Sequence, residues 1–143
     1  MNLLDHNRMP TVAALMQPFP YFAEPHASVA DVLRLMHDHN IRHIPIKQGD
    51  LVVGIISERD LRWMKSPAIT IPAADEILVQ HVMTYNPYVV DINTSLITVV
   101  SKMTKDKIGA TIITSSGRLA GIITVIDLCR ALEELLATQF SHG

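Results

Sequence analysis

Two heptapeptides hold the residue types best suited to chemistry: Gly54-Ile55-Ile56-Ser57-Glu58-Arg59-Asp60 and Gly121-Ile122-Ile123-Thr124-Val125-Ile126-Asp127. In each, a strand-like run passes from a glycine into a hydroxyl residue, and an aspartate follows three positions later. The glycine leaves room at the strand's end and lets another group come close to the backbone. A helix opening at Ser57 or Thr124 would present free amides suited to a phosphate, and the hydroxyl would add a donor. Asp60 or Asp127 offers two acceptor oxygens, which match the paired hydroxyls of a ribose. The same Ser/Thr-x-x-Asp spacing is also a helix N-cap pattern, in which hydroxyl and carboxylate satisfy the helix's own amides. The heptapeptides alone leave both readings open.

The elements that must position these motifs follow from periodicity. Residues 1–10 show none and form an arm closed by Pro10. Thr11 to Met16 suits a short helix stopped before Pro18, and Tyr21-Phe22-Ala23 a brief strand. Val29, Val32, Leu33 and Met36 fall at helical spacing behind Ser28, which with Asp31 matches a capping box. Ile41–Ile46 and Leu51–Ile56 read as strands joined by a Gln48-Gly49-Asp50 turn. Ser57 then opens a helix running from Glu58 to about Lys65.

Residues 66–76, with two prolines and no period, read as a linker. The pattern then restarts over 77–138, and residues 139–143 form a tail. Sliding the chain on itself by 67 positions without a gap aligns Met16 with Met83, Pro20-Tyr21 with Pro87-Tyr88, and Ser28 with Ser95. Further along, Met36 meets Met103, Ile41 meets Ile108, and Gly54-Ile55-Ile56 meet Gly121-Ile122-Ile123. This is an internal duplication of a β-α-β-β-α unit over 11–65 and 77–138. A small sheet with helices on one face needs a partner for the other, so the expected fold is α/β (α+β), two repeats packed with pseudo-two-fold symmetry.

The duplication, the order of elements and the Gly-x-x-Ser/Thr-x-x-Asp motif closing each repeat resemble the tandem cystathionine-β-synthase (CBS) domain pair, or Bateman module. Ile41-Arg42-His43-Ile44-Pro45-Ile46 and Met83-Thr84-x-x-Pro87 are similar to the family as well. The resemblance covers about residues 11–138 and implies adenosine-containing ligands (AMP, ADP, ATP, S-adenosylmethionine or dinucleotides) in clefts between the repeats. It implies ribose binding by Asp60 and Asp127, and Ser57 and Thr124 facing ribose or phosphate. It puts Arg59 at a phosphate-binding position, with Tyr21-Phe22-Ala23 and Tyr88-Val89-Val90 edging adenine pockets. It further implies a flat homodimer and, with no fused effector in the sequence, an effector protein as reader of the bound state.

The repeats differ in charge. The first has Arg42, His43, Lys47, Arg59 and Arg62 where the second has Gly109, Ala110, Thr114, Ile126 and Cys129. Positive charge therefore favours a polyphosphate at the first motif, with His43 a phosphate neighbour.

Composition narrows the remaining classes. A formal net charge of −2 over 143 residues gives no basic field for nucleic acid or an anionic membrane. No apolar run approaches a membrane span and the N-terminus lacks a signal peptide, so a cytoplasmic location is expected. One cysteine excludes an intrachain disulfide framework and a cysteine-based zinc cluster, and Cys129, among Leu128, Ala131 and Leu132, reads as a small core residue. His37, His39 and His43 straddle an expected helix end, so no metal site is assigned. No nucleophile has an evident base, and no P-loop or acid pair appears, so the expected protein is a non-catalytic sensor. The competing expectation is a structural or dimerisation module whose motif residues act only as caps.

Overall fold

Ser28 and Ser95 each open an eleven-residue helix, α1 (Val29–His39) and α2 (Leu96–Asp106), in the computed structural model, which describes residues 3, 7–65 and 76–140. The Ser28 hydroxyl accepts the Asp31 N–H at 3.1 Å, one half of the expected capping box, while the Asp31 carboxylate pairs with Arg34. Both helices close on a left-handed residue, Asn40 (φ 51°) and Lys107 (φ 56°). Ile41 and Ile108 then turn back, their N–H groups on the Met36 and Met103 carbonyls at 3.0 Å.

The strands are β1 (Gln17–Pro18), β2 (His43–Gln48), β3 (Leu51–Ser57), β4 (Thr84–Tyr85), β5 (Val89–Asp91), β6 (Ala110–Ser115) and β7 (Arg118–Thr124), and α3 (Val125–Gln139) follows β7. They sort into two compact units, one of Pro20–Pro87 and one of Met1–Phe19 with Tyr88–Gly143. In the first, β2 and β3 form a hairpin, β4 runs antiparallel to β3, and Ala23 bridges Ile46 on the other edge. Val29, Val32 and Met36 of α1 pack there on Ile44, Ile46 and Ile56, with Leu61, Val79 and Met83 completing the core. Each such aliphatic side chain taken from water contributes about 1.5–3 kcal/mol. In the second unit the order is β1-β7-β6-β5, with β5 parallel to β6 and the other pairings antiparallel. Leu96, Val99 and Met103 of α2 pack there on Ile113, Ile123 and Val12.

The compact units cut across the sequence repeats. The 3-10 turn at Val12–Ala14 and β1 lie on the hairpin of the second repeat, and the turn at Val79–His81 and β4 lie on the hairpin of the first. The registers coincide under the 67-residue offset, with Gln17 opposite Ile122 and Thr84 opposite Ile55. The motif glycines explain this pairing. A Cβ on Gly54 would sit 2.7 Å from the Met83 sulfur and 2.9 Å from the Thr84 carbonyl oxygen, and one on Gly121 would sit 2.5 Å from the Met16 sulfur. The group that approaches the backbone is thus a methionine 67 residues from its counterpart.

Several local expectations change. The residues after Ser57 wind as a 3-10 helix over Arg59–Lys65 rather than an α-helix, since a short piece just ahead of Pro67 has little length over which to propagate. Tyr21-Phe22-Ala23 contributes one bridge, at Ala23, rather than a strand. The two-residue strands β1 and β4 carry no period-2 signal and were not anticipated. Cys129 is exposed, because the buried stripe of α3 runs through Asp127, Leu128 and Ala131 instead. Where the first repeat has Ile44, the second has Thr111, fully buried with its hydroxyl unpartnered among the described residues, at a cost of about 1–3 kcal/mol.

Candidate functional site

Strand pairing assembles the first motif. His43, at the start of β2, lies opposite Ser57, the last residue of β3, and the Glu58 N–H donates to the Arg42 carbonyl at 2.8 Å. Arg42, His43, Ser57 and Asp60 therefore converge at one end of the hairpin, with exposed Arg59 beside them. The Ser57 N–H donates to Asp60 Oδ2 and the Asp60 N–H to Ser57 Oγ, both at 3.2 Å. This is the reciprocal cap that the spacing allowed. It uses one carboxylate oxygen, and Asp60 Oδ1 takes no hydrogen bond among the described residues. Asp60 is exposed.

His43 is half-buried. Burial lowers its pKa below the usual 6.5, the Asp60 carboxylate pulls it back up, and the Arg42 guanidinium pushes it down. As pH falls below about 6.5 the unfolded chain takes up a proton at His43 before the folded chain does, so this residue's contribution to stability is lost on acidification. The urea midpoint of the wild type is expected to fall between pH 7.5 and 5.5 by more than that of His43→Gln. Equal slopes in the two proteins would remove this assignment.

The second motif is built on the same plan with a different outcome. The Thr124 N–H and hydroxyl donate to Asp127 Oδ2 at 2.8 and 3.0 Å, and the Asp127 N–H donates back to Thr124 Oγ1 at 3.4 Å. Asp127 is 6% exposed. Its other oxygen accepts from the Gln17 carboxamide at 2.7 Å and lies 3.6 Å from the Arg130 guanidinium. Ile126, at the position of Arg59, is exposed and apolar.

The remaining candidates lie along the opposite sheet edges. Both backbone groups of Ala23 are engaged, its N–H on the Pro45 carbonyl at 3.0 Å and its carbonyl on the Lys47 N–H at 2.9 Å. The Tyr21 ring stacks on His39 at 3.9 Å, and the Lys47 ammonium lies 4.0 Å above the Phe22 ring. Val89 and Val90 pair with Ile112 and Ile113 of β6, and the Tyr88 carbonyl accepts the Ile112 N–H. Gln17 is the residue sequence reasoning missed. The offset that pairs it with Thr84 held the signal, because the two occupy the same place beside the two motifs.

Two α/β units of this topology, each closing on a Ser/Thr-x-x-Asp cap beside a hairpin, define a paired small-domain fold. The chain belongs to the CBS-domain family: the family model "CBS domain" matches residues 12–64 and 79–134. Inosine-5'-monophosphate dehydrogenase of Staphylococcus aureus is 31% identical over 127 residues, which is 87% of this chain and 25% of that protein. The chain thus spans about a quarter of the length of the curated relatives it matches. A Vibrio cholerae protein assigned to acetoin utilization, AcuB, superposes with a TM-score of 0.79 at 28% identity, covering 95% of this chain and 99% of its own. Two more distant structures share the fold. One is a CBS domain pair in complex with 5'-methylthioadenosine and S-adenosyl-L-methionine (TM-score 0.76, 23% identity, 88% of this chain and 98% of that one). The other is CBSX2 in complex with AMP (TM-score 0.75, 22% identity, 87% and 97%). Among the described residues no helix is long and apolar enough to cross a membrane.

Proposed function

We propose that this chain is a non-catalytic regulatory module that binds an adenine nucleotide, of the AMP, ADP or ATP class, with S-adenosylmethionine as an allied candidate. The carrying observation is the Asp60 carboxylate, exposed and with one oxygen open, among Arg42, His43 and Arg59. An anionic acceptor pair suits a ribose diol, and the Arg42 and Arg59 guanidiniums beside it suit the attached phosphate. The adenosine ligands of the two distant relatives support the class. Binding would favour one conformation or association state over another, for an effector protein to read. Titration calorimetry of ligand-free protein with AMP, ADP, ATP and S-adenosylmethionine tests this, and absence of heat at millimolar ligand sinks it.

The second reading is a ligand-free structural or dimerisation module, favoured by the reciprocal hydrogen bonds through which each hydroxyl and carboxylate caps its own helix. The calorimetry separates the two. Under either, a homodimer is the proposed assembly, supported by α3. Val125, Cys129, Leu132, Leu136 and Phe140 fall at helical spacing and all are exposed, an apolar stripe of the kind that marks an interaction surface. Sedimentation velocity is expected to show a dimer for the wild type and a monomer for Leu132→Asp. A variant that still sediments as a dimer would place the interface elsewhere.

A further inference from the structure

We propose that Gln17 sets how many nucleotides the chain binds, by holding the Asp127 oxygen that a ribose would otherwise take. The inference rests on the nucleotide reading above and adds a specificity-determining residue to it. The two motifs share the register of the strand beside them, since Gln17 stands against Ile122 where Thr84 stands against Ile55. At that register position the side chain differs. The Gln17 carboxamide reaches Asp127 Oδ1 at 2.7 Å, whereas Thr84 is shorter and makes no hydrogen bond to Asp60 among the described residues.

With Thr124 on the other oxygen and Arg130 close by, the Asp127 carboxylate has its acceptor positions largely occupied from within the chain. A ribose arriving there must displace a hydrogen bond to a charged group, which weakens binding about 10- to 100-fold relative to an open carboxylate. Gln17 itself is exposed, so its amide can swing aside. It acts as a competitor for the carboxylate rather than a fixed wall, and the first motif, with no such competitor, fills first.

The test is a set of calorimetric titrations of the full chain with AMP and, separately, ATP. The wild type is expected to bind one nucleotide per chain, Gln17→Thr two, and Thr84→Gln one with affinity lowered about 10- to 100-fold. Asp60→Ala should abolish the tight site, and Asp60→Ala with Gln17→Thr should regain one site through Asp127. A wild type that binds two nucleotides with like affinity overturns the proposal, as does a Gln17→Thr chain that still binds one. Loss of the hydrogen bond lowers the melting temperature in either case, so stoichiometry is the readout. Failure of every chain to bind either nucleotide removes the nucleotide reading and this proposal together, whereas binding with unchanged stoichiometry removes this proposal alone.

Discussion

Asp60→Ala is expected to weaken adenine-nucleotide binding by about 100-fold or more, while lowering stability only by about 0.5–2 kcal/mol. The affinity figure follows from removing a charged acceptor from two ribose hydroxyls, since each such hydrogen bond is worth about 1.5–3 kcal/mol. The stability figure is that of a lost cap, because the Ser57 N–H gives up its partner at 3.2 Å in an exposed setting. Asp127→Ala should show the reverse balance. There the carboxylate is buried, and its removal takes away the acceptor shared by Gln17 and Thr124 and the partner of Arg130. A larger drop in the urea midpoint is expected, with the tight nucleotide site unchanged. Calorimetry and urea titration on the two single variants therefore separate the ribose role from the capping role. If both lose stability and neither loses affinity, the carboxylates are caps and nothing more.

Gly54→Ala is expected to cost about 1–3 kcal/mol through overpacking, although alanine suits a strand better than glycine elsewhere. The added methyl would lie 2.7 Å from the Met83 sulfur and 2.9 Å from the Thr84 carbonyl oxygen. The sulfur belongs to a side chain that can rotate, but the carbonyl is fixed by strand pairing. At Gly121 the corresponding contacts are 2.5 Å to the Met16 sulfur and 3.1 Å to the Gln17 carbonyl oxygen. Hence Met16→Ala should rescue Gly121→Ala more fully than Met83→Ala rescues Gly54→Ala. Double-mutant cycles read from urea midpoints measure the difference. Additive effects at both sites would mean that the glycines are not held by these methionines.

Much of this was legible in the chain. The 67-residue register located both helices, both hairpins and both motifs, because apolar periodicity and caps are local properties. It also aligned Met16 with Met83, and each packs against the core of its own unit. What it could not supply was the partner of each lead-in segment. β1 and β4 are two residues long and held by main-chain bonds across a glycine, and main-chain pairing leaves no trace in side-chain period. For the same reason Gln17 carries no signal of its own in the sequence, although its amide sits on Asp127 from 110 positions away. Cys129 was misplaced because α3 is apolar on two faces, and composition cannot tell a face turned to the core from one left exposed. The inequality of the two motifs was readable from charge, through Arg59 and Ile126. Its hydrogen-bonding cause was not.

The reach of Gln17 also bears on how the molecule comes together in time. Pairing β1 with β7 closes a loop of roughly the span that separates Gln17 from Asp127, whereas β4 meets β3 over less than a third of it. The longer closure carries about 1 kcal/mol more chain entropy, and contacts between distant residues form more slowly. On a chain emerging from the ribosome, Pro20–Pro87 has all of its strands present before β7 exists. The half that holds Asp60 can therefore take shape while Met16 and Gln17 still await the edge they will cover.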